Sequence, residues 1–477
     1  MLHHLPCVKI DIINIKPVFL CKFNHMITTI NPATQEIIKD YKLLPVDEVM
    51  KTLDLTYNCF QDWKLFTYKQ RGALFVKLAA QLRQNKDQLA RLITTEVGKI
   101  VRESGAEIEK CAWLCEYYAE NTENLLVPED MPSDASKSFV SFEPLGTVFA
   151  IMPWNFPFWQ VFRAAVPTMM GGNTFVLKHA PNVFGCAEAI ESLFLDAGFP
   201  VYAFNNLPID IDLVEQVISH TSICGVTLTG SSRAGKSVAA LSGKHLKKCV
   251  LELGGSDPYI VLNDAEINQA CKTGVCSRML NAGQVCISAK RFIVEEESYP
   301  VFIQEQKTLL ESLQLGDPTD PETDMGPMAR IDLVEQLESQ INKSIEMGAT
   351  LITGGKRVND SLLFQPTLLV NVTPEMPVYN EETFGPVSVV IKAKNADDAL
   401  TIANETNLGL GASIWTNNMA LAEKMAHKIQ AGAVFINGMT KSDPRLPFGG
   451  IKQSGFGREL GSYGIKEFMN IKTIWIK

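Results

Sequence analysis

The chain has 477 residues, which is too long for one ordinary hydrophobic core and predicts two or three domains. Hydrophobic residues make up 46% and charged residues 20%, as in soluble globular proteins, and the net charge of −9 argues against nucleic acid as a partner. The sequence contains no clear run of about 18 uncharged apolar residues, so we expect no membrane span, and eleven cysteines in so long a chain predict reduced thiols and a cytoplasmic protein.

Residues 1–25 differ in character from the rest of the chain. They are apolar but interrupted by charged residues and a proline, and they contain no Arg and little Ser. They lack the compact apolar core and the A-x-A site of a secretory signal. We interpret them as an extension upstream of a fold that begins near Met26.

The next part of the chain alternates helical and strand patterns. Residues 69–92 place apolar side chains at helical spacing. Short apolar, β-branched runs bounded by Gly or Pro predict buried strands at 147–154, 174–178, 225–230, 249–255 and 258–262. Helical stretches lie between or after them at 183–197, 235–247 and 265–280. Strands that alternate with helices predict an α/β fold with a parallel sheet.

A second α/β series follows Cys286. Its predicted strands are 291–295, 349–353, 386–393, 411–416 and 433–437, with a helix near 300–314. The two α/β units therefore meet between Glu252 and Cys286. Residues 136–144 alternate polar and apolar side chains, which indicates an edge strand or a subunit contact, and the tail, 464–477, is a candidate to pair with it.

The segment GSSRAGKS, 230–237, fits the phosphate-binding loop of many NTPases, G-x-x-x-x-G-K-[ST]. It follows an apolar strand and precedes a helix, as that motif requires, and Asp264 is a candidate metal ligand for such a site. A strand–turn–helix unit also suits a dinucleotide, because a helix N-terminus presents free N–H groups to phosphate. A purely structural turn is the third interpretation, and the local pattern does not separate the three.

Two polar residues stand in apolar surroundings. Glu252 in VLELGG is expected to be partly desolvated, which raises the pKa of a carboxyl group and suits a general base; the alternative is a strand-end Glu bonded to backbone N–H. Asn155 in MPWNFPFWQ lies between two prolines that restrict the backbone. Its amide is placed as an oxyanion donor would need, and the alternative is an aromatic core turn.

Cys286 lies in NAGQVCISAKR, 281–291, among small residues that allow a substrate to approach. No histidine stands in a motif near it, and an inert buried thiol is the usual fate of a cysteine. Cys111 and Cys115, at helical spacing, are interpreted in that way, and we expect no metal site because further ligands are lacking. From its own motif, Cys286 is therefore either a nucleophile or a buried core residue.

Taken together, the motifs resemble one family. PWNFP, LELGG, Gly-Gln-x-Cys, EETFGPV and PFGGIKQSGFGRE occur in the order and separation of the NAD(P)-dependent aldehyde dehydrogenase superfamily, along nearly the whole chain from about Met26. NPATQE and EVGK are similar to that family as well. The resemblance implies an α/β fold with a Rossmann-like cofactor domain, an α/β catalytic domain and a small β oligomerisation arm.

The resemblance also implies the roles of individual residues. Cys286 would be the nucleophile, Glu252 the general base, and Asn155 the oxyanion donor together with the Cys286 backbone N–H. The cofactor residues implied are Trp154, Lys178, Pro181, Gly230, Ser231, Gly235, Glu382 and Phe384. The turn that contains Gly230 would face the dinucleotide, which makes the NTPase interpretation improbable because that interpretation leaves the three catalytic candidates unexplained.

The substrate is indicated by a smaller set of residues. KHAPN and SDPRLPFGG look most like bacterial succinate-semialdehyde dehydrogenases, in which residues matching Arg163 and Ser442 contact the distal carboxylate of the substrate. An Arg is well suited to clamp a carboxylate, and the alternative for Arg163 is an ion pair. Some members carry a second Arg where this chain has Leu280, and Arg445 or Arg278 are candidates to replace it. Glutarate semialdehyde or a plain aliphatic aldehyde is the alternative substrate.

Cofactor and assembly follow from the same resemblance. NAD-preferring members often have a Glu where this chain has Pro181, so we expect both NAD and NADP to be used, with a preference that the sequence does not give. The family forms dimers and tetramers, and we expect a homodimer or homotetramer. The predicted domains are 26–121 with 143–251 for the cofactor, 252–440 for catalysis, and 122–142 with 458–477 for the arm.

Other functions are weighed against this one. A CoA-acylating relative commonly lacks the residue that matches Glu252, so its presence favours water as the acyl acceptor. A binding or structural protein on the same fold would be expected to lose Cys286, Glu252 or Asn155, and all three are present. The sequence therefore predicts hydrolytic oxidation of an aldehyde that carries a distal carboxylate.

Overall fold

A computed structural model describes residues 26–477, and residues 1–25, with the predicted upstream extension, lie outside the described part. The described chain forms two open α/β sheets with helices on their faces, and a smaller three-stranded sheet. This arrangement confirms the α/β fold with two units. Within residues 26–477 no helix is both long and apolar enough to cross a membrane.

The first sheet has six strands. In spatial order they are Gly455–Phe456, Lys248–Glu252, Ile223–Thr229, Thr147–Met152, Thr174–His179 and Phe204–Asn206. All neighbouring pairs are parallel except the first, in which Gly455 pairs with Glu252 in an antiparallel bridge. The central strands are buried on both faces by helices, which explains their continuous apolar sequences.

Helices cover both faces of this sheet. They are Val46–Trp63, Tyr68–Gln84, Lys86–Val97, Val101–Leu125, Trp159–Met170, Phe184–Asp196, Val214–Ser219 and Ser232–Lys244, with short 3₁₀ turns at Pro181–Val183 and Ile211–Leu213. Aromatic side chains fill the space between helices and sheet, and the rings of Phe194 and Phe204 stack with centroids 4.3 Å apart. The helical pattern of residues 69–92 belongs to two helices, because Asn85 leaves helical geometry between them.

The second sheet has seven strands. In spatial order they are Thr350–Thr353, Thr367–Val370, Val387–Ala393, Ala289–Glu295, Asp257–Val261, Gly411–Trp415 and Ala433–Ile436. Only the first pair is antiparallel. The helices of this unit are Ile267–Met279, Tyr299–Glu311, Ile331–Glu346, Pro377–Asn380, Ala396–Asn404 and Met419–Ala426. Every strand predicted in the second series is present.

The third sheet joins distant parts of the chain. Strand Met469–Ile476 pairs antiparallel with Lys137–Pro144 in continuous register, and Glu129–Asp130 pairs on the other side. The predicted pairing of the tail with residues 136–144 is therefore confirmed. The helix Gly461–Lys466 precedes the tail strand. Two short antiparallel pairs, Met26–Ile30 with Ile37–Lys42 and Leu408–Gly409 with Ile451–Lys452, complete the strands.

Candidate active site

Two cavities meet at Cys286. One, of about 240 Å³, lies between helices Val101–Leu125 and Trp159–Met170 and the loop 439–448, and is here called the chamber. The other, of about 630 Å³, is here called the cleft and lies at the carboxyl ends of parallel strands of the six-stranded sheet. Cys286 and Gln160 line both, so a sulfur atom stands at the junction of two separate binding spaces.

An unusual backbone turn brings Cys286 to this junction. Asn281, Ala282 and Gly283 all have left-handed φ angles, of 50°, 51° and 73°. A Cβ at Gly283 would lie 2.2 Å from the carbonyl oxygen of Gly385, so only glycine fits. A left-handed Ala costs free energy, which surrounding contacts must offset. The backbone N–H of Asn281 donates to Glu103 at 2.9 Å, a contact that helps to fix the turn.

Asn155 is held against the same turn. It follows the strand Thr147–Met152, is 4% exposed and lines the cleft. Its Nδ2 donates to the carbonyl of Gln284 at 2.9 Å, and its own carbonyl accepts from Asn281 Nδ2 at 2.9 Å. One of its two amide N–H groups is thereby used and the other is available. The Cys286 N–H makes no hydrogen bond within residues 26–477, so Asn155 and Cys286, which both line the cleft, each have an unused N–H donor.

Burial raises the pKa of the Cys286 thiol to about 11, while the positive charges of Arg163 and Lys290 act in the opposite direction. The thiol is therefore protonated at neutral pH in this arrangement. Lys290 is itself buried and donates to the carbonyls of Val285 at 2.8 Å and Cys286 at 2.7 Å. It also forms an ion pair with Glu382 at 3.3 Å.

Glu252 ends its strand in a buried position, 2% exposed, and neither carboxylate oxygen receives a hydrogen bond from residues 26–477. Burial raises its pKa well above the usual range, and repulsion from Glu459 adds to this, whereas Arg163 and Arg458 oppose it. The carboxyl packs against Gly449, since a Cβ there would lie 2.7 Å from Glu252 Oε1. A desolvated carboxyl with a raised pKa is a stronger base than an exposed one, as a proton acceptor needs to be.

The cleft contains the cofactor residues expected around the nicotinamide and the phosphates. Trp154 and Phe384 meet edge to face with centroids 5.9 Å apart. Glu382 Oε1 accepts from the backbone N–H of Gly255 at 3.0 Å and lines the cleft with Gly230 and Ser231. Ser231 caps the helix Ser232–Lys244. A helix N-terminus beside an open cleft and a carboxylate suited to ribose hydroxyls fit a nicotinamide dinucleotide.

Three further cofactor candidates lie outside the lining of the cleft. Lys178 is 8% exposed in the strand Thr174–His179, and burial lowers its pKa. Pro181 begins a 3₁₀ turn just after that strand. Gly235 allows the helix to approach Leu253, since a Cβ there would lie 2.6 Å from that side chain. Their contacts with a cofactor remain predictions.

The structure does not support an NTPase loop at 230–237. The helix begins at Ser232, so the Gly235-Lys236 pair lies inside the helix instead of in a loop around a phosphate. Asp264 follows a strand of the other sheet, and its carboxylate accepts hydrogen bonds from Thr416 Oγ1 at 2.6 Å and Asn417 N at 3.2 Å. The two parts of the supposed motif belong to different sheets.

Arg163 and Ser442 both line the chamber, as the sequence suggests, but their surroundings differ. Arg163 is 2% exposed, forms a buried ion pair with Glu459 and lies over the ring of Phe448 at 4.5 Å. Ser442 Oγ accepts from Trp159 Nε1 at 3.0 Å. The role of Arg163 as a carboxylate ligand remains a prediction, and its guanidinium already has an anionic partner in the protein.

Neither Arg278 nor Arg445 takes the place of the missing second arginine. Arg278 is fully buried and donates to the backbone carbonyls of Gly283, Thr383, Gly385 and Val387, which fixes the left-handed turn 281–283 to the EETFGPV loop. Arg445 forms an exposed bidentate pair with Asp443. Leu280 lines the chamber, as a neutral residue.

Sequence reasoning missed Lys110, a half-buried residue on helix Val101–Leu125 that lines the chamber. Its ammonium donates to Ser442 Oγ at 2.8 Å and lies 4.0 Å from the ring centroid of Trp159. The available signal was the spacing of Glu103, Glu107 and Lys110, three charged residues on one face of a helix that otherwise buries small and apolar residues on that side.

Comparisons with known proteins identify the family of the chain. The model of the aldehyde dehydrogenase family matches residues 21–474. A probable succinate-semialdehyde dehydrogenase [NADP(+)] from Synechocystis sp. is 47% identical over 94% of this chain and 99% of its own length. Succinate semialdehyde dehydrogenase [NAD(P)+] Sad from Escherichia coli is 45% identical over 94% and 97%.

A solved structure gives the same result at the level of the fold. The crystal structure of succinic semialdehyde dehydrogenase from Streptococcus pyogenes, in complex with NADP+ as the cofactor, superposes with a TM-score of 0.92 and 36% identity. The superposition covers 94% of this chain and 99% of that one. With a family match over nearly its whole length and relatives of this similarity, the chain belongs to the aldehyde dehydrogenase family.

Proposed function

We propose that the protein oxidises succinate semialdehyde to succinate with NADP+ or NAD+. The observation that carries this proposal is the position of Cys286, which is shared by a cleft suited to a dinucleotide and a chamber suited to a small aldehyde. The names of the similar proteins from Synechocystis and E. coli supply the substrate and the cofactors.

The first chemical step is attack by the Cys286 thiolate on the aldehyde carbon, which forms a carbon–sulfur bond and a thiohemiacetal oxyanion. Asn155 Nδ2 and the Cys286 N–H donate to that oxygen. Because the free thiol has a pKa of about 11, deprotonation needs an acceptor, and Glu252 is the candidate among the buried carboxyl groups.

The cofactor supplies the hydride acceptor for oxidation of the thiohemiacetal. Glu382, through the ribose, and the Trp154–Phe384 pair would orient it, and Ser231 at the helix N-terminus would contact its phosphates. Loss of hydride from the thiohemiacetal carbon leaves an acyl thioester on Cys286. Once Glu252 has passed the thiol proton to solvent, it takes a proton from water, which attacks the thioester carbon, and the carboxylic acid leaves as the carbon–sulfur bond breaks.

The distal carboxylate of the substrate would be held at the far end of the chamber by Ser442 and by one of two cations, Arg163 or Lys110. The name of the relative from Synechocystis supports NADP+ as cofactor, and that from E. coli supports both forms. The absence of a carboxylate at Pro181, three residues after Lys178, is compatible with the 2′-phosphate of NADP+.

The quaternary structure and compartment belong to the same proposal. The three-stranded sheet exposes large apolar side chains on the tail strand, Ile471 at 62% and Trp475 at 50%, which supports its use in a homodimer or homotetramer. Nine cysteines of the described chain are free thiols, in agreement with a cytoplasmic protein.

The test is the rate of reduced-cofactor formation by the purified protein. Succinate semialdehyde is compared with butyraldehyde, a neutral aldehyde of equal carbon count, each with NADP+ and with NAD+. A kcat/KM for succinate semialdehyde that is higher by at least tenfold supports the proposal. Equal values for the two aldehydes would leave an aldehyde dehydrogenase with a different substrate.

A further inference from the structure

Two of the charged residues that line the chamber, Glu107 and Arg163, are already neutralised within the protein. Glu107 forms a buried ion pair with Lys99, and Arg163 forms one with Glu459. Separating Arg163 from Glu459 to bind a substrate would leave a second uncompensated carboxylate in the interior, which is costly. The charge of Arg163 is therefore committed to the protein.

Lys110 is different from these residues. Among residues 26–477 no carboxylate lies within 4.0 Å of its ammonium group. Its single hydrogen bond in that part of the chain is the one to Ser442 Oγ, which uses one of three N–H donors. The ring of Trp159 lies under the ammonium at 4.0 Å and stabilises the cation without neutralising it.

The hydroxyl of Ser442, like the ammonium of Lys110, has a hydrogen-bond donor that the protein does not use. Its oxygen accepts from Lys110 at 2.8 Å and from Trp159 Nε1 at 3.0 Å, which occupies both lone pairs. Its O–H donates no hydrogen bond to any residue of 26–477. Ser442 is 6% exposed, so this unused donor is held inside the chamber wall.

Lys110 and Ser442 together present only donors and one net positive charge, which is the complement of a carboxylate. The rest of the chamber supplies apolar walls from Phe156, Val285 and Phe448, which suit a short methylene chain between two polar ends. Cys286 lines the same space, so one molecule can reach both the sulfur and the cation.

We propose that Lys110, with Ser442 as its hydrogen-bonding partner, binds the distal carboxylate of the substrate and is the residue that makes the enzyme specific for carboxylated aldehydes. This inference rests on the proposed function, because it assigns the carboxylate end of the same substrate. It gives Arg163 a separate duty, as the internal counter-ion of Glu459 beside Glu252.

The experiment is steady-state kinetics of Lys110→Met, whose side chain keeps the packing on Trp159 but lacks the charge. The expected result is a KM for succinate semialdehyde higher by about 10- to 100-fold, with kcat within about threefold, since a hydrogen bond to a charged group is lost. The kcat/KM for butyraldehyde should stay unchanged. Lys110→Arg should recover part of the preference.

Two parallel variants locate the cation. Arg163→Met should lower activity with both aldehydes by similar factors, because it disturbs Glu459 and Glu252. Lys441→Met removes the exposed lysine that also lines the chamber, and it should change the ratio of the two kcat/KM values by less than about twofold. The proposal would be overturned if Arg163→Met or Lys441→Met lowered kcat/KM for succinate semialdehyde alone while Lys110→Met kept the wild-type ratio.

Inhibition by succinate separates this inference from the proposed function. Succinate is titrated against butyraldehyde oxidation, so the assay does not require succinate semialdehyde to be a substrate. The inhibition constant should rise by about 10-fold or more in Lys110→Met. If the wild type prefers succinate semialdehyde and Lys110→Met retains both that preference and the inhibition, the proposed function stands and the assignment of Lys110 fails.

Discussion

The two cavities that meet at Cys286 are built in different ways. The cleft lies at the carboxyl ends of strands Ile223–Thr229 and Thr147–Met152, where a parallel sheet brings its connecting turns together. The chamber is walled by side chains of two helices, of the segment 277–288 and of the loop 439–448, which are far apart in sequence. Backbone topology therefore forms the space that we propose for the cofactor, while individual side chains shape the space that we propose for the aldehyde.

This contrast makes a general prediction about substitutions. A change in the cleft or at the shared sulfur should affect all aldehydes by the same factor, because the reacting carbon is common to them. A change in the carboxylate site should affect only substrates that carry the carboxylate. Comparison of succinate semialdehyde with butyraldehyde separates the two kinds of effect.

The largest effect is expected at the junction. Cys286→Ala removes the nucleophile and should lower kcat by at least about 10⁴-fold with both aldehydes. Cofactor affinity, measured by titration of NADPH fluorescence, should remain close to that of the wild type. Turnover that persists near the wild-type rate would contradict the covalent mechanism, and a loss confined to one aldehyde would contradict the shared role of the sulfur.

The next effect is expected at the oxyanion donor. Asn155→Ala removes the amide held against Gln284 and should lower kcat by about 10²–10³-fold, which is the usual cost of one such donor. The factor should be the same for both aldehydes and should appear in kcat more than in KM. A change in KM alone would assign Asn155 to substrate binding.

A smaller effect is expected in the cleft. Glu382→Ala removes the carboxylate that we propose to bind the ribose, and it should raise the KM for NADP+ by roughly 10- to 100-fold, as for other hydrogen bonds to charged groups. The ratio of kcat/KM for the two aldehydes should not change. Unchanged cofactor affinity would show that the carboxylate serves Lys290 and Gly255 only.

The smallest effect is a pH dependence of the chamber. Burial lowers the pKa of Lys110 to about 8, and Arg163 acts in the same direction, whereas Cys111, Glu107 and Asp443 oppose it. The ammonium is charged below that pH and neutral above it. The ratio of kcat/KM for succinate semialdehyde to that for butyraldehyde should therefore fall, by roughly tenfold, as pH rises through about 8.

The ratio cancels the ionisation of Cys286, which is common to both substrates. Glu103, at the same chamber, has a pKa raised to about 7 by burial, and its ionisation also disfavours a carboxylate as pH rises. In Lys110→Met, the fall in the kcat/KM ratio near pH 7, which Glu103 causes, should remain. The fall near pH 8 should disappear. A ratio that is constant between pH 6 and 9 in the wild type would rule out a titrating lysine at the carboxylate site.

The sequence predicted the parts of the molecule that depend on local pattern. Strands such as Thr147–Met152 and Asp257–Val261 are continuous apolar runs because both of their faces are buried, and that signal needs no partner. The family and the α/β architecture were also predicted, and both are confirmed. The helical pattern of 69–92 did not reveal the break at Asn85, since the apolar spacing continues through it.

The features of the site that could not be predicted from the sequence depend on contacts between distant segments of the chain. The sequence leaves Arg163 as either a carboxylate ligand or a member of an ion pair, and only the fold identifies Glu459 as its partner. The sequence does not single out Lys110, whose hydrogen bond to Ser442 joins two distant segments. Neither pairing leaves a local signal, because the partners lie in separate segments joined only by the fold. The left-handed backbone at Ala282 could not be predicted from the sequence either, because alanine does not favour that geometry.

Lys290 has a consequence for how the two halves of the site communicate. Its ammonium contacts the Cys286 carbonyl and the Glu382 carboxylate, so it bridges the peptide of the nucleophile and the group placed for the ribose. A ligand that draws Glu382 toward itself must alter the bridge. Thermodynamic reciprocity then predicts that an aldehyde bound reversibly to the sulfur and a dinucleotide bound in the cleft change each other's affinity by the same factor. The bridge thus couples the occupancy of one cavity to the chemical state of the other.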